Sequence, residues 1–97
     1  MITGNFKTYE LTIANGGHGE LDLSTVVGSE YLLKVNPGVA SVRMIATAPT
    51  SVEVADVSDL LLPTDFPEEF ELGRGLSRLS FYNGSGGQAK VSIAVLF

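Results

Sequence analysis

Residues 76–97 read LSRLSFYNGSGGQAKVSIAVLF, two alternating runs on either side of a turn-rich segment. In the second run Ala89, Val91, Ile93, Val95 and Phe97 share one parity, while Lys90 and Ser92 fall on the other. That period of two is the pleat of a β-strand with one face buried. In the first run Leu79 and Phe81 alternate with Arg78, Ser80 and Tyr82. Asn83-Gly84-Ser85-Gly86-Gly87 lies between them, and Asn and Gly tolerate the positive φ that reverses a chain cheaply. The two runs therefore read as an antiparallel β-hairpin.

The same alternation extends upstream. Phe70 and Leu72 alternate with Glu69 and Glu71 ahead of Gly73-Arg74-Gly75. Residues 56–67, DVSDLLLPTDFP, are the least regular part of the chain. Leu60-Leu61-Leu62 reads either as one helical turn capped by Ser58 or as an extended segment crossing the end of a sandwich. Pro63 and Pro67 forbid a long helix there. Val52 and Val54 alternate with Ser51, Glu53 and Ala55, a fifth strand-like run. In Val39–Ala48, Val42, Met44 and Ala46 share one parity and Arg43, Ile45 and Thr47 the other, so both faces of this strand are expected to be covered.

Tyr31–Val35 is a short run closed by Asn36-Pro37-Gly38, whose Pro and Gly suit a type II turn. Leu21 and Leu23 alternate with Glu20, Asp22 and Ser24 in a strand running towards Val27. Asn15-Gly16-Gly17-His18-Gly19 separates it from Phe6–Ile13, where Tyr9, Leu11 and Ile13 alternate with Thr8, Glu10 and Thr12. About eight strands with frequent turn signals and no convincing helix predict an all-β protein. The expected architecture is a single small antiparallel β-sandwich or jelly roll, one domain spanning residues 1–97.

Composition narrows the function classes. An apolar fraction of 44% supports a globular core, although a chain of 97 residues can build only a thin one. There is no cysteine, so neither disulfides nor thiolate-bound zinc can staple the fold. Eleven acidic against six basic residues leave a net charge of −5, and the basic residues are scattered singly. Nucleic-acid binding needs a positive surface that displaces counterions, so no nucleic-acid partner is expected. No basic stretch followed by an apolar run marks a signal peptide, and no run is long enough to span a membrane. Cytoplasmic synthesis of a soluble protein is the expectation.

No motif carries catalysis. His18 is the sole histidine and sits in a glycine-rich segment, with no nucleophile elbow around any serine. Asp56, Asp59, Asp65, Glu68, Glu69 and Glu71 bunch together but lack the spacing of a calcium loop, and the glutamates alternate with Phe70 and Leu72 as solvent-facing positions do. The glycine clusters lack the lysine, the Ser/Thr and the following helix of a phosphate loop. No enzyme activity, cofactor or metal is expected. Three successive leucines, however, cannot all point into a core of period two. Leu60, Leu61, Leu62 and Phe66 read as an exposed docking patch or, equally, as a buried crossover. Leu32 and Leu96 are further candidates for exposure, because they fall on the parity opposite their neighbours' core face.

Residues 61–97, LLPTDFPEEFELGRGLSRLSFYNGSGGQAKVSIAVLF, resemble the ending of small virion proteins of tailed bacteriophages. The resemblance is carried by Leu62-Pro63, the strand Phe70–Leu72, the turn Gly73–Gly75, Arg78-Leu79-Ser80 and the terminal run Val91–Val95. It covers about the last third of the chain and includes no catalytic or binding motif. What it implies is a head decoration (cement) protein or other minor virion protein at the capsid surface. Such a protein would be a homo-oligomer, with a trimer favoured, and would bind the major capsid protein or other virion proteins. Leu60, Leu61, Leu62 and Phe66, with Met1, Ile2 and Phe6 near the N-terminus, are the expected contact residues. A carbohydrate- or receptor-binding β-sandwich is the alternative. It is weakened by the absence of Trp and by the separation of Tyr9, Tyr31 and Tyr82 on different strands. A cupin-like enzyme would need several metal-binding histidines, which one His cannot supply.

Overall fold

The computed structural model describes residues 4–26, 30–64 and 67–97. Eight strands run through them: β1 (Phe6–Ile13), β2 (His18–Asp22), β3 (Glu30–Asn36), β4 (Val42–Thr47), β5 (Leu60–Leu61), β6 (Glu68–Gly73), β7 (Arg78–Asn83) and β8 (Ala89–Leu96). They form two four-stranded antiparallel sheets with strand orders β1-β8-β3-β6 and β2-β7-β4-β5. Six of the seven connections cross from one sheet to the other, and β4–β5 alone stays within a sheet. This interleaving is the jelly-roll arrangement of the β-sandwich.

The alternation explains the core. Tyr31, Leu33 and Val35 on β3 and Val91, Ile93 and Val95 on β8 point inward from the first sheet. Val42 and Met44 on β4 and Leu79 and Phe81 on β7 meet them from the second. Each fully buried Leu, Ile or Phe side chain contributes roughly 1.5–3 kcal/mol. The Tyr31 hydroxyl donates to the Leu76 carbonyl at 2.6 Å, and burial pushes its pKa up to about 12.

The expected β7–β8 hairpin does not form. The two strands lie in different sheets, and their apolar residues face each other across the core instead of lying side by side. Period two fixes which face of each strand is buried, and that pattern is the same for either arrangement. Sheets pack about 10 Å apart, twice the spacing of paired strands, so the longer segment 84–88 suits a crossing. Asn83 secures it. Its side-chain amide reaches the carbonyls of Ile13 (2.9 Å), Ala14 (3.2 Å) and Gly87 (2.7 Å), and its Oδ1 accepts from the Ser85 N–H. One buried side chain thus ties together the β1–β2 and β7–β8 crossings.

Two further differences have local causes. His18 and Gly19 belong to β2 and not to the preceding turn; a Cβ at Gly19 would sit 2.7 Å from Ile13 Cδ1, so glycine lets β1 side chains close over the strand. The strand ends at Asp22, with Leu23 fully buried beyond it, and Val27 lies outside the described residues. Gly38 does occupy positive φ (73°) in the Asn36-Pro37-Gly38 turn, where the Gly38 N–H donates to Asn36 Oδ1.

Candidate functional site

Residues 48–59, between β4 and β5, form no strand, although 51–55 alternate like one. They run over the outer face of the β2-β7-β4-β5 sheet as a strap. Its hydrogen bonds to the sheet involve side chains of that face and not a neighbouring strand. The Ala55 N–H donates to Ser80 Oγ at 3.0 Å, and Arg78 Nη1 donates to the Glu53 carbonyl. Arg43 Nη1 donates to the Asp59 carbonyl at 2.8 Å. Arg78 also pairs through two bonds with Glu20, Nε to Oε1 at 3.0 Å and Nη2 to Oε2 at 2.9 Å. Arg78 and Ser80 are consequently buried, despite their outward position on β7.

Anchoring the strap by Ala55 reverses the polarity expected of residues 51–55. The small Ala55 is fully buried, and the valines turn to solvent. Val52 is 89% exposed, Val57 68%, and Val54, Leu60 and Leu61 50% each. Among the described residues, five of the seven exposed large hydrophobic residues therefore lie within ten positions of sequence. The leucine run divides by strand parity. Leu61 pairs with Arg43 on the outer face, and Leu60 pairs with Met44 but remains open at the sheet edge. Leu62 is 2% exposed and belongs to the core, its N–H donating to the Val42 carbonyl at 2.9 Å. Leu62 is thus removed from the expected contact set, because the next position along an edge strand points back into the sandwich.

The remaining expected contacts do not join this stripe. Phe6 is exposed on β1, an edge of the other sheet on the β1–β2 side of the sandwich, while β5 forms the far edge of its own sheet. Met1, Ile2 and Phe66 lie outside the described residues. Phe6 does head a cross-strand row with Leu96 and Leu32, the two residues on unexpected parity, on the outer face of the β1-β8-β3-β6 sheet. Val57 had no signal in the alternation, since Asp56 and Ser58 make it look like part of a turn.

Other polar candidates are absorbed locally. Asp56 accepts from the Ser58 N–H and hydroxyl at 2.8 and 2.6 Å, and these bonds hold its carboxyl below the usual range. Asp59 accepts from the Asp56 N–H, and Glu69 pairs with Lys34 at 3.2 Å. Asp56 and Asp59 thus lie in a turn and Glu68, Glu69 and Glu71 on β6, Asp65 lies outside the described residues, and no group of three or more potential metal ligands converges among the described residues. His18 is exposed and stacks obliquely on Tyr82 at 5.4 Å. An open groove of about 620 Å³ crosses the outer face of the β1-β8-β3-β6 sheet; its lining is largely apolar, with Pro67 and Ala94 beside the polar groups of Glu10, Lys34 and Asn36. No helix among the described residues is long and apolar enough to cross a membrane.

Comparison with known proteins finds no matching family model, no similar curated sequence and no similar solved structure.

Proposed function

We propose that this chain is a non-enzymatic structural protein of a tailed-phage particle, of the decoration or minor virion type, that docks on the major capsid protein. The observation carrying this reading is the exposure of Val52, Val54, Val57, Leu60 and Leu61 along one ten-residue segment. Exposed apolar area concentrated on one segment marks a protein interface. The strap is pinned by Arg78, Ser80 and Arg43, so the stripe is presented on a fixed support and loses little conformational entropy on docking. The jelly-roll scaffold and the likeness of residues 61–97 to small virion proteins agree with this reading. The protein would act by burying surface between capsid subunits.

The test is co-sedimentation with heads purified from the phage that encodes the chain. Wild type is expected in the pellet, and a Val57→Asp/Leu61→Asp variant, folded by circular dichroism, in the supernatant. Equal pelleting of the two, or wild type left in solution, overturns the assignment. A second reading, a carbohydrate- or receptor-binding module, is favoured by the open groove over β1, β8 and β3, whose lining includes the polar side chains of Glu10, Lys34 and Asn36. It ranks lower because the aromatic residue lining that groove, Tyr9, packs against the core and offers no stacking platform. Reproducible binding on a glycan array, lost in Asn36→Ala, would place it first.

A further inference from the structure

The sandwich has four sheet edges: β1 and β6 on one sheet, β2 and β5 on the other. Three are unsuited to pairing with a copy of themselves. β5 is two residues long. β2 is five residues long and carries Glu20 and Asp22. β6 carries Glu68, Glu69 and Glu71, which a twofold partner would bring against like charges. β1 differs from all three. It spans eight residues, FKTYELTI, without Pro, Gly or a bulge, and its Lys7 and Glu10 balance in charge.

The hydrogen-bond phase of β1 is fixed by its beginning. Asn5 and Phe97 exchange both main-chain bonds, at 3.0 and 2.8 Å. In an antiparallel ladder that exchange recurs at every second residue, so Lys7, Tyr9, Leu11 and Ile13 direct their N–H and C=O towards β8. Phe6, Thr8, Glu10 and Thr12 direct theirs to the open edge, where no strand pairs with them among the described residues. A long row of unpaired main-chain groups is a template for another strand.

We propose that β1 pairs antiparallel with β1 of a second copy, joining the two β1-β8-β3-β6 sheets into one continuous sheet around a twofold axis. Matching faces across that axis allows a small set of registers. The register centred between the two Tyr9 residues sets Phe6 opposite Thr12 and Thr8 opposite Glu10, using all four free positions of each copy. It forms about eight main-chain hydrogen bonds, two for each of four narrow pairs. Sliding one way sets Glu10 opposite Glu10, a like-charge contact; sliding the other way leaves Thr12 unpaired and sets Phe6 against Glu10. The pairing is independent of the docking stripe, which lies on the other sheet, and it closes at two copies and not at the three implied by the resemblance.

Sedimentation equilibrium tests the pairing. Wild type is expected at twice 10.3 kDa. Thr8→Pro deletes one outward N–H and no β1–β8 bond, and proline is tolerated at such an edge position. This variant is expected at 10.3 kDa with an unchanged circular dichroism spectrum. Tyr9→Cys, in a chain without other cysteines, is expected to oxidise to a covalent dimer, and Thr8→Cys is not. Should Thr8→Pro fail to fold, wild-type amide exchange decides: Phe6, Thr8, Glu10 and Thr12 should be protected at high concentration and exchange rapidly on dilution. A monomer up to millimolar concentration, a dimer that survives Thr8→Pro, or those four amides exchanging rapidly at every concentration overturns the proposal.

Discussion

Ser80 and Ser92 occupy equivalent places on the two sheets, each on an inner strand and each at a position pointing away from the core. Ser92 is exposed beside Glu10 and Asn36. Ser80 is buried, its hydroxyl accepting the Ala55 N–H. The difference is the connection that follows β4. The one connection that returns to its own sheet is twelve residues long, and it folds back over that sheet's outer face. An outward position is therefore solvent-facing on one sheet and interior on the other, and no rule of alternation distinguishes them.

Arg78→Ala is expected to have the largest effect on this contrast. It removes the strap's bond at Glu53, leaves Glu20 without its partner and opens space beneath the strap. Because the Glu20 side chain left behind is 56% exposed, the cost is that of the lost charge-assisted hydrogen bonds, about 1.5–3 kcal/mol, measurable by urea denaturation. A loss below about 1 kcal/mol would mean that the strap holds without it. Next, Ser80→Ala removes the acceptor for a buried N–H and is expected to cost about 1–3 kcal/mol, with faster exchange of the Ala55 amide. Ser77→Ala acts in the opposite direction. Its hydroxyl is buried without a partner among the described residues, so replacing it is expected to raise stability by up to about 1 kcal/mol. The smallest change is Ser92→Ala, expected within about 0.5 kcal/mol of wild type. Equal costs for Ser80→Ala and Ser92→Ala in the same denaturation series would erase the distinction between the two faces.

Much of this architecture was legible from the chain. The inward sets Tyr31/Leu33/Val35 and Val91/Ile93/Val95 and the extent Phe6–Ile13 follow from alternation, because a half-buried strand must place every second residue on the core. Partnership was not legible. Leu79 and Phe81 alternate identically whether β8 lies beside them or across the core, and residues 83–87 have the composition of a hairpin turn in both cases. The exposed apolar segment was half legible. The crowding of Leu60, Leu61 and Leu62 implied that one leucine had to be exposed, but which ones depends on the register of β5 against β4. The valines of the strap read as a strand because their sequence alternates. Their exposure follows from Ala55 being the residue that fits beneath the strap, a matter of space that sequence does not encode.

The placement of β8 between β1 and β3 also governs how the chain reaches this structure. Without β8, β1 has no ladder partner and β3 keeps only β6. The pairing that unites this sheet joins residues from opposite ends of the described chain, so a large loop-closure entropy is met before any contact repays it. Topologies dominated by such distant pairings fold in milliseconds to seconds, and the order of events is constrained as well. During synthesis β1 waits for its ladder partner within the sheet until β8 has emerged.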